Sequence, residues 1–411
     1  MDKDNLILKG VKVVELSSFI AAPCCAKILG DWGAEVIKVE PLQGDGIRVM
    51  GGTFKSPSSE EENPMFELEN GNKKGISVDI KSKEGLEVLH KLISQADVFV
   101  TNVRVQALSK IGLAYDQLKD KYPNLIFSQI LGYGEKGPLK DKPGFDYTAY
   151  FARGGVSASL MEKGTSPANT AAGFGDHYAG IALAAGTCGA LYKKAMTGKG
   201  EMVTVSLFHT AVYGMGTMVT TAQYGNEMPI SRMSPNSPIM NSYKCKDGKW
   251  IQLALVQYNK WLPKFCKVIN REYLLEDERY NNIKSMVNHV DELVEIVGEA
   301  MLEKNLDEWS QLLEEADLPF EKMQLCEDIL EDPQAWENDY LFKTKYESGN
   351  EGVLVNTPVM FKEMGIKSYE SAPKVGEHTE EILRNLGYKA EDIDRLIQNN
   401  AVLQGKSKVM A

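Results

Sequence analysis

The sequence predicts an α/β protein: a large, discontinuous domain built on a Rossmann-like open parallel sheet, with a smaller α+β lobe inserted into it. Three observations carry this. β-rich runs alternate with helical ones through the first two hundred residues, which implies βαβ units. The texture changes beyond residue 226, where a Pro/Ser/Asn-rich loop leads into a hairpin and acidic helices. Two helical stretches at the end of the chain return most economically to the first domain.

In order, residues 12–16 read as a short strand, 20–29 as a helix and 35–40 (EVIKVE) as a second strand. Residues 76–80 follow as a strand, 83–96 as an amphipathic helix and 97–102 (DVFVTN) as a strand. Residues 124–131 (NLIFSQIL) are another strand, placed after Tyr122-Pro123 stops a helix. Residues 202–226 hold no Asp, Glu, Lys or Arg, a length that raises the question of a membrane span. Thr204, Ser206, His209 and Thr210 make it too polar for lipid, so it is read as a linker helix buried between domains or subunits. Asp247-Gly248 then joins the runs 242–246 and 250–256 in a hairpin pattern. Acidic helices follow to about residue 331, then a strand within 352–362 and helices at 379–386 and 390–398. The expected domains are 1–201 with 340–411, the linker 202–226 and the lobe 227–335.

Composition excludes several functions. The 411 residues carry 46 Lys+Arg against 57 Asp+Glu, a net charge of −11. A protein that coats nucleic acid needs a basic footprint, so that partner is excluded. The charge is uneven: residues 101–200 hold 12 basic and 7 acidic side chains, and an anionic small molecule finds its counter-charges there. The six cysteines (24, 25, 188, 245, 266 and 326) show no Cys-x-x-Cys spacing, and no secretory pattern precedes them. The reducing cytoplasm is the expected setting. The five histidines are scattered without zinc-site spacing, so no metal is expected.

Motifs narrow the chemistry further. There is no Gly-x-x-x-x-Gly-Lys-Ser/Thr loop, and the turn at residues 17–23 (SSFIAAP) lacks the Gly-x-Gly-x-x-Gly of a dinucleotide fingerprint. Its small residues still let a ligand lie against a helix N-terminus. No Gly-x-Ser-x-Gly elbow occurs, and Cys24, Cys25 and Cys188 sit in small apolar surroundings that favour inert thiols. The segment 173–186 (GFGDHYAGIALAAG) is richest in chemical interest. Asp176 stands before a helical run, which fits an ordinary N-cap. The same geometry also suits a functional carboxylate beside amides that can stabilise an oxyanion. Asn102 and Arg104, just beyond the carboxyl end of a strand, are placed for an anionic ligand.

The sequence resembles the class III CoA-transferases, which include formyl-CoA transferase and the carnitine and bile-acid CoA-transferases. The resemblance rests on LKGVKVVEL at residues 8–16, GDWGAEVIKVE at 30–40, GDGIR at 44–48, ADVFVTN at 96–102, Gly175-Asp176 and GEHTEEIL at 376–383. A narrower likeness, to clostridial (R)-2-hydroxyacyl CoA-transferases of amino-acid fermentation, rests on GYGEKGP at 132–138, PGFDYTAYFARGGVS at 143–157 and QAWENDYL at 334–341.

The resemblance implies that Asp176 is the nucleophile, passing through a mixed anhydride and an aspartyl-CoA thioester. It implies CoA contacts at Ile20, Ala21, Val78, Lys81, Asn102, Arg104, Lys110, Lys142 and Phe145. It also implies an interlocked homodimer, a CoA thioester and a carboxylic acid as substrates, and no permanently bound cofactor, membrane or nucleic acid. The expected reaction moves CoA from an acyl- or enoyl-CoA to an (R)-2-hydroxy acid. The alternatives are a carnitine, bile-acid or dicarboxylate transferase, or an acyl-CoA racemase of the same fold. Two departures matter. Pro41 stands where the formyl enzyme has an arginine at the adenine end, and residues 234–240 replace its glycine-rich lid.

Overall fold

The computed structural model describes residues 6–405, which divide into two compact units: residues 6–156, 169–217 and 334–405, and residues 157–168 with 218–333. The first unit is organised by a seven-stranded sheet. In chain order its strands are β1 (Lys12–Leu16), β2 (Glu35–Glu40), β3 (Lys73–Val78), β4 (Val98–Thr101), β5 (Ile126–Leu131), β6 (Met202–Ser206) and β12 (Val402–Leu403). Their spatial order is β12-β3-β2-β1-β4-β5-β6. All neighbours are parallel except β12, which runs antiparallel to β3. The order 3-2-1-4-5-6 is that of the Rossmann sheet, and it reverses direction between β1 and β4.

Both faces of the sheet are covered, so its central strands are apolar runs rather than alternating ones. Every residue of β4 and β5 is buried. On one face the wholly buried helix Ala21–Asp31 packs against Phe174–Thr197. Small residues allow this: a Cβ on Gly180 would lie 2.7 Å from Cys24 Sγ and 2.8 Å from the Ala21 carbonyl oxygen. The other face is closed by Val88, Leu89, Leu92 and Ile93 together with Ile382, Leu383 and Leu396 from the end of the chain.

A charge network lies beneath the sheet's carboxyl end. Glu15 receives Lys38 Nζ at 2.9 Å and Lys73 Nζ at 2.7 Å, and Lys38 also reaches Asp45 at 2.9 Å. All four are buried. Burial pushes the Glu15 carboxyl up, but the two ammonium groups prevail and hold it at about 2. Lys73 explains why β3 begins three residues earlier than the apolar pattern predicts: its charge hides a strand position that Glu15 makes habitable.

The region read as a linker helix at residues 202–226 departs from that expectation. Met202–Ser206 is edge strand β6, registered on Phe127–Leu131 of β5, and short helices follow at Leu207–Gly214 and Gly216–Ala222. The β-branched alternation of MVTVS was masked by the uncharged composition around it. Strand β12 escaped notice because it has only two residues.

The first unit also carries the antiparallel pair β10 (Leu341–Lys345) and β11 (Glu351–Val355). In the second unit β7 (Ser242–Lys244), β8 (Trp250–Leu253) and β9 (Phe320–Lys322) form an antiparallel sheet. Gly248, at φ +84°, turns β7 into β8. Helices Tyr258–Val268, Val290–Met301 and Leu306–Glu315 enclose its core around Trp309. Among the described residues no helix is long and apolar enough to cross a membrane.

Candidate active site

The carboxyl ends of β1, β4 and β5 lead into three turns that enclose a cavity of about 420 Å³. Ser18, Phe19, Ile20 and Ala21 follow β1, Asn102 to Val105 follow β4, and Gly132 follows β5. This is the switch-point crevice where open α/β sheets take ligands. A larger surface cavity, about 1160 Å³, opens near the amino ends of β1 and β2, beside Lys12, Glu35, Lys74 and Glu381. Its Lys74 is already paired with Glu381, and Asp176 is not part of it, so chemistry belongs to the smaller cavity.

The turn after β1 is held in an unusual conformation. Phe19 sits at φ +65°, and its N–H donates to Asp45 Oδ1 at 3.0 Å. Asn102 clasps the preceding residue from both sides, accepting from the Ser18 N–H at 3.1 Å and donating to its carbonyl at 2.7 Å. Asn102 therefore shapes the cavity wall with its side-chain polar groups. The buried charge network below, which fixes Asp45, supports the same turn. At the rim Phe19 and Phe145 meet edge to face at 6.4 Å. Arg104, Lys140 and Lys142 supply positive charge to the lining.

Asp176 reaches the same cavity from the first turn of Phe174–Thr197. Gly173, at φ +78°, starts that helix in a conformation glycine adopts without strain. Gly175 has no room for a side chain: a Cβ there would lie 2.2 Å from Tyr150 Cγ and 2.4 Å from Asp146 Oδ1. The approach serves a hydrogen bond, Gly175 N–H to Asp146 Oδ1 at 3.1 Å.

Asp146 is buried, with its Oδ2 unpartnered. Burial pushes its carboxyl up to about 6, restrained by the N–H groups of Gly175 and Gly173. Burial likewise pushes Asp176 up to about 7, with the like charge of Asp146 adding to the rise and His177 opposing it. Two neighbouring carboxyl groups thus share one buried site, hold their protons to higher pH than ordinary carboxyls and titrate as a pair near neutrality. Cys24, Cys25 and Cys188 are held as thiols by burial, which raises all three.

Of the residues expected to touch CoA, the fold gathers Ile20, Ala21, Asn102, Arg104, Lys142 and Phe145 around the cavity with Asp176. Val78 ends β3 with its side chain in the sheet core. Lys81 follows that strand, and Lys110 ends the helix Val105–Lys110; none of these three lines the cavity. Asp146 and Glu69 escaped sequence reasoning as site residues. The available signal for Asp146 was a carboxylate set between Phe145 and Tyr147 in an aromatic stretch; nothing local marks Glu69.

A Rossmann-ordered sheet whose switch-point crevice holds cations and a carboxyl group tuned toward neutrality defines an α/β enzyme. The chain belongs to CoA-transferase family III, whose model matches residues 8–379, and it is a CoA-transferase. It is 79% identical over 397 residues, 97% of this chain and all of the relative, to (R)-2-hydroxy-4-methylpentanoate CoA-transferase of Clostridioides difficile. It is 47% identical over 412 residues, 99% of this chain and all of the relative, to cinnamoyl-CoA:phenyllactate CoA-transferase of Clostridium sporogenes. Among solved structures, a CaiB/BaiF family protein from Brucella suis superposes with a TM-score of 0.81 at 27% identity, covering 93% of this chain and all of that one.

Proposed function

We propose that the protein moves CoA from an acyl- or enoyl-CoA to an (R)-2-hydroxy carboxylic acid, with Asp176 as the nucleophile. The observation that carries the mechanism is the placement of the Asp176 carboxyl in the switch-point cavity, beside cations and within a glycine-framed helix start. The acceptor class is supported by the two relatives above, whose names specify a 2-hydroxy-4-methylpentanoate and a phenyllactate.

In this reading the ionised Asp176 attacks the donor thioester carbonyl, the C–S bond breaks, and CoA leaves as thiolate from a mixed anhydride. The thiolate attacks the aspartyl carbonyl of that anhydride, releasing the donor acid and leaving an aspartyl-CoA thioester. The acceptor carboxylate attacks the thioester, expels the thiolate and forms a second anhydride. Attack of the thiolate on the acceptor's carbonyl then yields the new acyl-CoA and regenerates Asp176. Each step exchanges one activated acyl bond for another, which is the advantage of a covalent route. The positive end of the helix Phe174–Thr197 favours the developing oxyanions.

The pantetheine end of CoA lies along Ile20, Ala21, Asn102, Arg104, Lys142 and Phe145, with Lys81 and Lys110 supplying charge beyond the cavity. Tyr192, Met196 and Tyr213 leave apolar surface exposed on the first unit, which supports a second copy as partner; light scattering tests the dimer. The decisive chemical experiment is mass spectrometry of protein quenched with donor CoA and labelled with 18O. A CoA thioester on Asp176 is expected, and an Asp176→Ala variant that binds CoA but retains full turnover refutes the mechanism.

A further inference from the structure

We propose that Glu69 and His177 form a positioning pair for the nucleophile: Glu69 holds His177 as an imidazolium whose charge and attachment keep Asp176 ionised and directed into the cavity. This rests on Asp176 being the nucleophile and goes beyond it by assigning the neighbours that govern its charge.

The geometry comes first. His177 Nε2 lies 2.8 Å from Glu69 Oε1. The Glu69 side chain is 3% exposed and that of His177 39%. Glu69 Oε1 can only accept when ionised, so the proton between the two groups sits on His177 Nε2. The Glu69 and Asp176 carboxylates together favour the charged form of the ring that lies between them and the helix start. The backbone N–H of His177 donates to the Gly173 carbonyl at 2.9 Å. The pair therefore ties the helix Pro64–Asn70 to the residue that begins the nucleophile's helix.

The surrounding charges decide the sign. Facing Asp176 are Asp146 from the short π-helix Asp146–Ala152, His177 from its own helix, and Glu69. Facing the pair are the Cys24 thiol from Ala21–Asp31 and the Lys73 ammonium group, which acts on Glu69. Asp146 and Glu69 oppose ionisation of Asp176, and His177 is the cation that favours it. Burial alone would strip His177 of its charge, and Glu69 and Asp176 restore it. His177 differs from a simple packing residue in acting electrostatically on the neighbouring carboxyl.

The test is the 13C-carboxyl titration of Asp176 in protein labelled at aspartate, its resonance assigned with Asp176→Asn, together with the acid limb of kcat against pH. His177→Gln is expected to raise the Asp176 midpoint by about one pH unit, a tenfold change in proton affinity, and to move the acid limb with it. Glu69→Gln is expected to shift it less, because it removes an opposing anion along with the imidazolium. Thermal midpoints are recorded for both variants. If His177→Gln lowers the thermal midpoint and leaves the Asp176 titration in place, the pair is merely structural and the proposal fails. If the variant does not fold, His177→Asn is titrated in its place and decides the same way. Full turnover by Asp176→Ala would overturn the nucleophile reading instead, while the titration still reports on the pair.

Discussion

Asp146 Oδ1 accepts a hydrogen bond from the Gly175 backbone N–H at 3.1 Å, joining a buried carboxyl group to the residue immediately before Asp176. The contact orients the turn that carries Asp176, and the charge of Asp146 adds to the rise that burial gives the Asp176 carboxyl. Asp146→Asn is expected to lower the Asp176 titration midpoint, since the like charge disappears while an oxygen acceptor remains for Gly175. The acid limb of kcat should move to lower pH, measured in buffers from pH 5 to 8. An unchanged limb would show that the two carboxyl groups do not communicate.

Gly175→Ala should be among the most damaging small substitutions in the chain. Its Cβ would fall 2.2 Å from Tyr150 Cγ, and relief requires moving Tyr150 or the helix start. A loss of about 2–4 kcal/mol is expected by denaturant titration, with turnover reduced at least a hundredfold as Asp176 is displaced.

Asp176 should itself be a source of instability above neutral pH. Its carboxyl is raised from 3.8 to about 7 in the folded protein, so the native state binds the extra proton and stability falls as pH rises from about 4 to 7. Asp176→Asn removes that penalty. At pH 8 the variant is expected to exceed the wild type by about 1–2 kcal/mol after discounting for solvent and for coupling to Asp146, and to match it below pH 4. Calorimetry at both pH values checks the sign.

Arg104→Ala should weaken capture of the CoA donor rather than the exchange itself. We expect KM for the acyl-CoA to rise about tenfold with a smaller change in kcat, and the salt dependence of kcat/KM to flatten. Initial-rate kinetics at two ionic strengths measures both.

Lys73→Met leaves Glu15 with one of its two ammonium partners in a fully buried site. Breaking such a network costs about 3–5 kcal/mol, visible in urea unfolding. In the wild type Glu15 is held at about 2 against an ordinary 4.5, so its contribution is present above pH 4.5 and is lost as pH falls toward 2. Lys73→Met should flatten that acid dependence.

Much of the fold was legible along the chain because its signals are local. The runs at residues 12–16, 35–40 and 124–131 carry strand character in their own residues; the first two are strands of the sheet as read, and the third is one from Ile126 to Leu131. The strand at Met202–Ser206 was not legible, because its polarity pattern resembles that of the uncharged helices after it. Strand β3 was clipped, since Lys73 looks like a surface residue until Glu15 is brought beneath it. In the site, Asp176 stood out through its glycines, and Arg104 through its place at a strand end.

The sequence by itself determined the α/β class and the family and singled out Asp176 as the proposed nucleophile, because periodicity, glycine spacing and motif order are properties of the chain. Only the tertiary structure decided how the Asp176 carboxyl is tuned. Asp146 lies 30 residues before Asp176, and Glu69 lies 108 before His177. A carboxyl group's proton affinity depends on burial and on charges within a few ångströms, and those distances exist only after the sheet has brought separate turns to one crevice.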